Sequence, residues 1–173
     1  VLGHGGAGGV GSLAIQVAVQ AGARVVATAS TEDKRALCLA LGAEEAWPYD
    51  QVLAGAKAWS GGQGVDVVVD HVGEATWDLS MRAVRWGGTV VTCGATTGHE
   101  VTLNLRILFF KQLSLLGSTM GTHDELRRAW CLVQAGRIRP VVDAVLPMSR
   151  LFEAQQLLEQ RKVRGKVVVE QDL

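Results

Sequence analysis

The residues whose types and spacing could do chemistry begin at the sixth position. Gly6-Ala7-Gly8-Gly9-Val10-Gly11 matches the pattern G-x-G-x-x-G. It follows a short apolar run and opens a segment of helical period, and that context gives an otherwise weak pattern its meaning. Gly6 permits the tight turn, Gly8 lets the backbone approach a pyrophosphate with no Cβ in the way, and Gly11 lets the helix pack closely on the strand. The N–H groups at the start of that helix then face a phosphate, helped by the positive end of the helix dipole. The chemistry implied is the holding of a dinucleotide.

The identity of the dinucleotide depends on the tip of the second strand, where an acid would grip both ribose hydroxyls and repel a 2′-phosphate. The sequence there is Ala27-Thr28-Ala29-Ser30, with no acid at the tip. Ser30 and Thr31 offer hydroxyls, and Lys34 and Arg35 offer positive charge one turn on. This combination favours NADP(H), while Glu32, as a displaced acid, would suit NAD instead.

Other reactive side chains are sparse. Cys38, Cys93 and Cys131 form neither a disulfide framework nor a zinc-ligand spacing. They read as small buried thiols in a reducing cytoplasm. Cys93 has no neighbouring His or Asp at a spacing that would make it a nucleophile. His4, His71, His99 and His123 show no metal-ligand spacing and read as surface or loop histidines. A Tyr-x-x-x-Lys pair, which a short-chain dehydrogenase needs, is absent, because Tyr49 has Leu53 at that offset. The five tryptophans fall on different elements and read as scattered packing.

Positioning these groups requires alternating strands and helices, the signature of a parallel sheet. Strands are expected over residues 1–4, 24–29, 45–47, 65–70, 89–94, 113–117 and 166–170. Helices are expected after the glycine turn and over residues 52–59, 77–86 and 151–158, with another carrying Leu126, Ala129, Trp130 and Val133 at helical spacing. In the first helix, Val10, Leu13, Ala14, Val17, Ala18 and Ala21 form the apolar face, and Gly22 closes it. Ser30 and Thr31 cap the second helix, where Leu37, Ala40 and Leu41 form the inner stripe and Gly42 ends the segment. The fold class is α/β, a Rossmann-type doubly wound parallel sheet with helices on both faces.

Composition narrows the function classes. Apolar residues make up 48% of the 173 residues and charged residues 20%, an ordinary globular balance. Lys plus Arg and Asp plus Glu each number 17, so no excess of positive charge is available for a phosphodiester backbone and nucleic acid is not the expected partner. No apolar run approaches the roughly 18 residues of a membrane span, and no signal-peptide pattern opens the chain. A cytoplasmic location is expected. The first strand is short and begins without Met, so the chain reads as a fragment or an excised domain.

With these residues in place, the chain resembles the coenzyme domain of the medium-chain dehydrogenase/reductase superfamily, which contains the zinc-type alcohol dehydrogenases and the quinone oxidoreductases. The resemblance covers essentially the whole chain. It is carried by the glycine turn, Ala14-Ile15-Gln16, the run from Gly22 to Thr28, Leu41-Gly42-Ala43 and the run from Val65 to Gly73. Gly87-Gly88, Cys93-Gly94-Ala95, Leu116-Gly117-Ser118 and Gly165-Lys166-Val167-Val168 complete it. The later segments look more like the zinc-dependent alcohol dehydrogenase branch.

The resemblance implies that Gly8, Gly9 and Val10 contact the pyrophosphate through backbone N–H groups. Ser30 and Lys34 would sit at the adenosine ribose with Tyr49 near it, and Val72, Gly94, Ala95, Ser118 and Thr119 would line the nicotinamide side. It implies that residues 1–138 form the dinucleotide-binding domain. Residues 139–173 would continue from it and return toward an N-terminal catalytic domain that this chain lacks. A catalytic zinc would belong to that other domain, so no catalytic residue is assigned here, and the isolated chain should bind coenzyme without turning over an alcohol, carbonyl or quinone. A homodimer or homotetramer through residues 101–117 is the implied assembly. A quinone or enone oxidoreductase without zinc and a non-catalytic NADPH-binding module are the alternatives.

Overall fold

In a computed structural model, residues 1–171 are described. Strands β1 (Leu2–Gly3), β2 (Val26–Thr28), β3 (Glu45–Trp47), β4 (Val65–Asp70), β5 (Val84–Thr92) and β6 (Ser114–Gly117) form one sheet. Its order is β3-β2-β1-β4-β5-β6, and every pairing is parallel. Helices α1 (Gly9–Gln20), α2 (Glu32–Ala40), α3 (Val52–Trp59), α4 (Glu74–Ala83) and α5 (Leu105–Phe110) connect them. Then follow α6 (His123–Gln134), β7 (Val142–Pro147), α7 (Leu151–Glu159) and β8 (Lys166–Glu170), with β7 and β8 paired in a separate parallel ribbon. The expected Rossmann-type doubly wound architecture is the one found.

Strand alternation splits the core into two layers. Leu2, Val26, Val68 and Val90 point to one side, against Val52, Ala56 and Met81 of α3 and α4. Val25, Ala27 and Ala29 point to the other, against Ile15 of α1 and Cys38 of α2. Neighbouring residues of β2 thus feed opposite layers, and the continuous Val-Val-Ala-Thr run needs no polar face.

Several expectations are corrected. The buried line of α1 is Gly11, Ser12, Ile15 and Gln16, while Val10 and Val17 stand exposed. The shift is driven by Gln16, whose amide donates to the Ser12 and Arg139 carbonyls and accepts from the Arg139 N–H at 2.8 Å. That side of α1 is therefore held by the C-terminal part of the chain rather than by an apolar stripe. In α2 the fully buried residue is Cys38, and Ala40 is exposed. Thr31 stands at the N-cap without a side-chain capping bond, because its hydroxyl pairs with the Asp33 carboxylate. The expected helix over 77–86 starts earlier and stops at Ala83. Val84 pairs with Val65 instead, and a register shift then brings Thr89 opposite Val67. The exposed Leu126 and Trp130 of α6 do not enter the core, and α5 and β7 are elements not foreseen. Cys93 and Cys131 are exposed, so only Cys38 is a buried thiol, its pKa pushed up by burial to about 11. The segment expected over 139–173 is described except for its last two residues.

The C-terminal segment crosses the glycine turn. Gly165 bridges to Gly8, and its N–H donates to the Ala7 carbonyl at 2.7 Å. Gly165 holds φ +77°, and a Cβ there would be driven into the Val141 carbonyl. Gly165→Ala should therefore destabilise the chain by about 2–4 kcal/mol, combining left-handed strain with a backbone clash. Gly61→Ala, at φ +64° with open space around it, should lose only about 1 kcal/mol. Denaturant melts of both variants check this, and equal losses would contradict the clash.

Candidate functional site

The glycine turn links β1 to α1 at the carboxyl end of the sheet. Its geometry rests on contacts that leave no room for side chains. Gly5, not Gly6, supplies the left-handed turn residue, at φ +59°. At Gly6 a Cβ would lie 2.7 Å from the Cys38 sulfur and 2.8 Å from the Ala27 Cβ, so this glycine exists for packing against β2 and α2. At Gly11 a Cβ would run into the Gly5 carbonyl, so the close approach is of helix to turn. Gly8 differs: a Cβ there would meet only the Gly5 carbonyl oxygen, at 3.2 Å. The space over Gly8 is otherwise open.

Gly8 is the N-cap of α1 and no side chain caps the helix. The Ser12 N–H already bonds the Gly8 carbonyl at 2.9 Å. The N–H groups of Gly9, Val10 and Gly11 lie in the first turn, where a helix offers no internal acceptor. A helix end of this kind suits an anion.

A cavity of about 350 Å³ opens beside it, lined by Gly5, Ala7, Gly8, Gly9 and, from the β2 side, Ala29, Ser30, Lys34 and Tyr49. His71 and the C-terminal residues Leu158, Arg161, Val163 and Gly165 complete the wall. Five residues expected at the site thus meet here: Gly8, Gly9, Ser30, Lys34 and Tyr49. Gly6 and Gly11 lie buried beneath the turn, Val10 is exposed beyond it, and Thr31 faces Asp33 rather than the cavity. Val72 sits half-buried after β4, with Gly94 and Ala95 after β5 and Ser118 and Thr119 after β6, strung along the same sheet end but outside the cavity.

The C-terminal side of the site has no counterpart among the residues assigned from sequence. Lys34 Nζ donates to the Arg161 carbonyl at 2.6 Å. The Lys166 ammonium reaches over the start of α1, where a Cβ on Gly9 would strike its Cε and Nζ. Lys34 and Arg161 thus line the cavity and Lys166 stands over the start of α1, on a chain whose net charge is zero. No Asp or Glu lines the cavity among the described residues. The one sequence signal for this wall was the Gly165-Lys166 pair, which by itself carries no role. A larger hollow, about 540 Å³, lies elsewhere against α3 and β5. Its Lys111 is already bonded to three carbonyls, its Arg85 to Asp66 and its Arg82 to Asp78, so three of its four cations, all but Lys57, are engaged.

Under the site lies a buried polar layer. His4 has no exposed surface, contrary to the surface or loop position expected of it, because it continues β1 between β2 and β4. Its Nδ1 pairs with the Thr28 hydroxyl at 3.2 Å and its ring stacks on Tyr49. Burial drives its pKa down to about 4, the nearby Asp70 opposing and His71 adding to the fall. Burial pushes the Asp70 carboxyl up, but bonds from the Ser80 hydroxyl and the Gly73 and Val72 N–H groups outweigh this and hold it below its ordinary value. Asp70 thereby fixes the loop after β4. Among the described residues no group of three His, Cys, Asp or Glu side chains could hold a metal ion.

The sequence profile of the zinc-binding dehydrogenases matches residues 9–135. Over 98% of its length the chain is 30% identical to a crotonyl-CoA reductase of Streptomyces avermitilis, covering 42% of that protein. Over 98% it is also 32% identical to a probable quinone oxidoreductase of Schizosaccharomyces pombe, covering 54% of it. Among solved structures, an NAD-dependent alcohol dehydrogenase superposes with a TM-score of 0.92 at 40% identity, over 98% of this chain and 50% of that one. A crotonyl-CoA carboxylase/reductase in complex with NADP superposes with a TM-score of 0.86 at 28% identity, over 97% and 48%. The chain spans about half the length of the curated relatives it matches.

The buried His4 sets a pH dependence. Its folded pKa lies below that of the unfolded chain, so the unfolded state binds the extra proton between pH 6.5 and 4. Its contribution is complete above pH 6.5 and is lost as pH falls toward 4, by about 3 kcal/mol in all. Urea melts at pH 7, 5.5 and 4.5 should show this decline, and His4→Gln should flatten it. An equal decline in both proteins would contradict the assignment.

Proposed function

The chain belongs to the zinc-binding dehydrogenase family, and we propose that it is the coenzyme-binding part of an oxidoreductase that moves hydride between a nicotinamide dinucleotide and an alcohol or carbonyl substrate. The observation that carries this reading is the open, positively charged cavity over Gly8, at a helix end whose N–H groups lack partners. Bound nicotinamide supplies a two-electron hydride donor or acceptor. The chain's own task is to bind and orient it.

The Gly8 N–H, expected at the pyrophosphate, donates instead to the Gly5 carbonyl at 2.9 Å, and in this proposal the N–H groups of Gly9, Val10 and Gly11 and the Lys166 ammonium hold the pyrophosphate. Gly6 shapes the turn beneath them. Ser30 and Lys34 stand toward the adenosine ribose, with Tyr49 beside it and Arg161 facing it from the C-terminal segment, while Thr31 stays with Asp33. Val72, Gly94, Ala95, Ser118 and Thr119 lie along the line a nicotinamide would follow past the ends of β4, β5 and β6, since ligands of open α/β sheets bind beyond the strand ends. The absence of an acid from the cavity wall, with Glu32 outside it, supports NADP(H) over NAD(H).

Residues 1–138 serve as the dinucleotide-binding domain, and the segment from 139 onward carries β7, α7 and β8 toward the part of the enzyme that the relatives possess in addition. Exposed Val145 and Phe152 on that ribbon and its helix suit such a neighbour. Any catalytic zinc would be bound there, because no group of three His, Cys, Asp or Glu side chains among the described residues fits one. Assembly into a dimer or tetramer through residues 101–117 is supported by the outer edge of β6 and by exposed Leu105, Phe109, Phe110 and Leu116. No described helix is long and apolar enough to cross a membrane, and a cytoplasmic enzyme is the reading adopted. A zinc-free reductase of conjugated acceptors draws on the relatives named as quinone oxidoreductase and crotonyl-CoA reductase; metal content and a substrate panel separate the two.

Calorimetric titration with NADPH and NADH tests the proposal. NADPH should bind more tightly, and Lys34→Ala should weaken NADPH more than NADH, by about 1–3 kcal/mol. Gly8→Val should abolish binding of both while the melting curve changes little. Failure of the unaltered chain to bind either coenzyme would contradict it.

A further inference from the structure

Among the described residues, one residue of the cavity wall carries a shielded polar atom without a partner. His71 follows β4 and lines the cavity, and its Nε2 is shielded from solvent yet makes no hydrogen bond. Its ring lies over Gly5, with Cε1 and Nε2 at 3.1 and 3.2 Å from where a Cβ on that residue would be. The main chain around it is fixed on both sides. The His71 carbonyl accepts the Thr96 hydroxyl at 2.8 Å, and the N–H groups of Val72 and Gly73 donate to the Asp70 carboxylate at 2.9 and 3.0 Å. The two other shielded atoms without partners, His4 Nε2 and Trp77 Nε1, are not on the cavity wall. A buried imidazole nitrogen left without a bond is unfavourable, and an atom held in that state beside a cavity points to a ligand that completes it.

The place of His71 in the fold narrows which part of a ligand that is. The strand order reverses between β1 and β4, and His71 and Gly5 face each other across that switch point. Ser30, Lys34 and Tyr49 line the β2 side of the glycine turn, whereas His71 lines the β4 side. Beyond it lies Gly94, where a Cβ would come within 3.0 Å of the His71 carbonyl. With the adenosine on the β2 side, the group reaching His71 belongs to the other half of the dinucleotide.

We infer that the His71 ring turns from Gly5 toward the cavity when coenzyme binds, so that Nε2 forms a hydrogen bond with a ribose hydroxyl of the nicotinamide-bearing half and orients that half in the cleft. A hydroxyl both donates and accepts, so either neutral tautomer of the imidazole satisfies the pair. The inference rests on the coenzyme reading above. His71 is a positioning residue, since its partner is the sugar and not the reacting ring.

The test compares NADPH with 2′,5′-ADP, which keeps the adenosine and its phosphates but lacks the second ribose and the nicotinamide. The full chain, His71→Ala and His71→Gln are each titrated with both. His71→Ala should weaken NADPH roughly tenfold and leave 2′,5′-ADP within about twofold, the second ligand also reporting an intact fold. His71→Gln, which keeps a donor and an acceptor, should recover most of the loss. Unchanged NADPH affinity in His71→Ala, an equal loss for both ligands, or a Gln variant as weak as the Ala variant would overturn the inference while the coenzyme reading stands. If the unaltered chain binds neither ligand, the coenzyme reading fails and this inference fails with it.

Discussion

The first turn of α1 has N–H groups that no part of the helix can satisfy, and the structure keeps the space in front of them clear. That constraint decides the local sequence. Gly11 is glycine because the helix must touch the turn, Gly6 because β2 and α2 close in behind it, and Gly8 because the front must stay open. A side chain at the N-cap would complete the helix and stabilise it by about 1 kcal/mol, yet the position is glycine with no capping bond. The chain forgoes that stability and retains a helix end able to hold an anion.

The same constraint explains why the far end of the chain returns to its beginning. Gln16 joins Arg139, Lys34 joins Arg161, and Ala7 joins Gly165, so three separate contacts bind the C-terminal segment to the turn, α1 and α2. These contacts put Arg161 beside Lys34 at the cavity and Lys166 over the start of α1. A chain of zero net charge thereby gains a locally positive site. Placement does what composition alone does not suggest. Beneath, the burial of His4 and the carboxylate network of Asp70 hold the ends of β1 and β4 together at the point where the strand order reverses.

The parallel sheet and the glycine turn were legible in the sequence because both are local. Valine runs such as Val65–Asp70 mark strands buried on both faces, and the turn spacing lies within six residues. Half of the cavity wall was legible for the same reason, since Ser30 and Lys34 follow directly from the tip of β2. The C-terminal wall was not, because Arg161 and Lys166 sit more than 120 residues from their neighbours and no local pattern couples them. The face of α1 was misjudged because an apolar stripe assumes that polar residues seek water, whereas Gln16 is buried with two of its three bonds supplied by the distant Arg139 backbone. His4 gave no signal, as a histidine at a strand end is buried only through the Thr28 and Tyr49 contacts that folding creates.

The most direct measurement is the change in backbone amide resonances of the labelled chain as NADPH is added. The N–H groups of Gly9, Val10 and Gly11 should move most, together with those of Arg161 and Gly165 across the cavity. Changes confined to Gly62, Gly64 and Trp86 around the larger hollow, or none at saturating coenzyme, would contradict the assignment of the α1 helix end as the binding site.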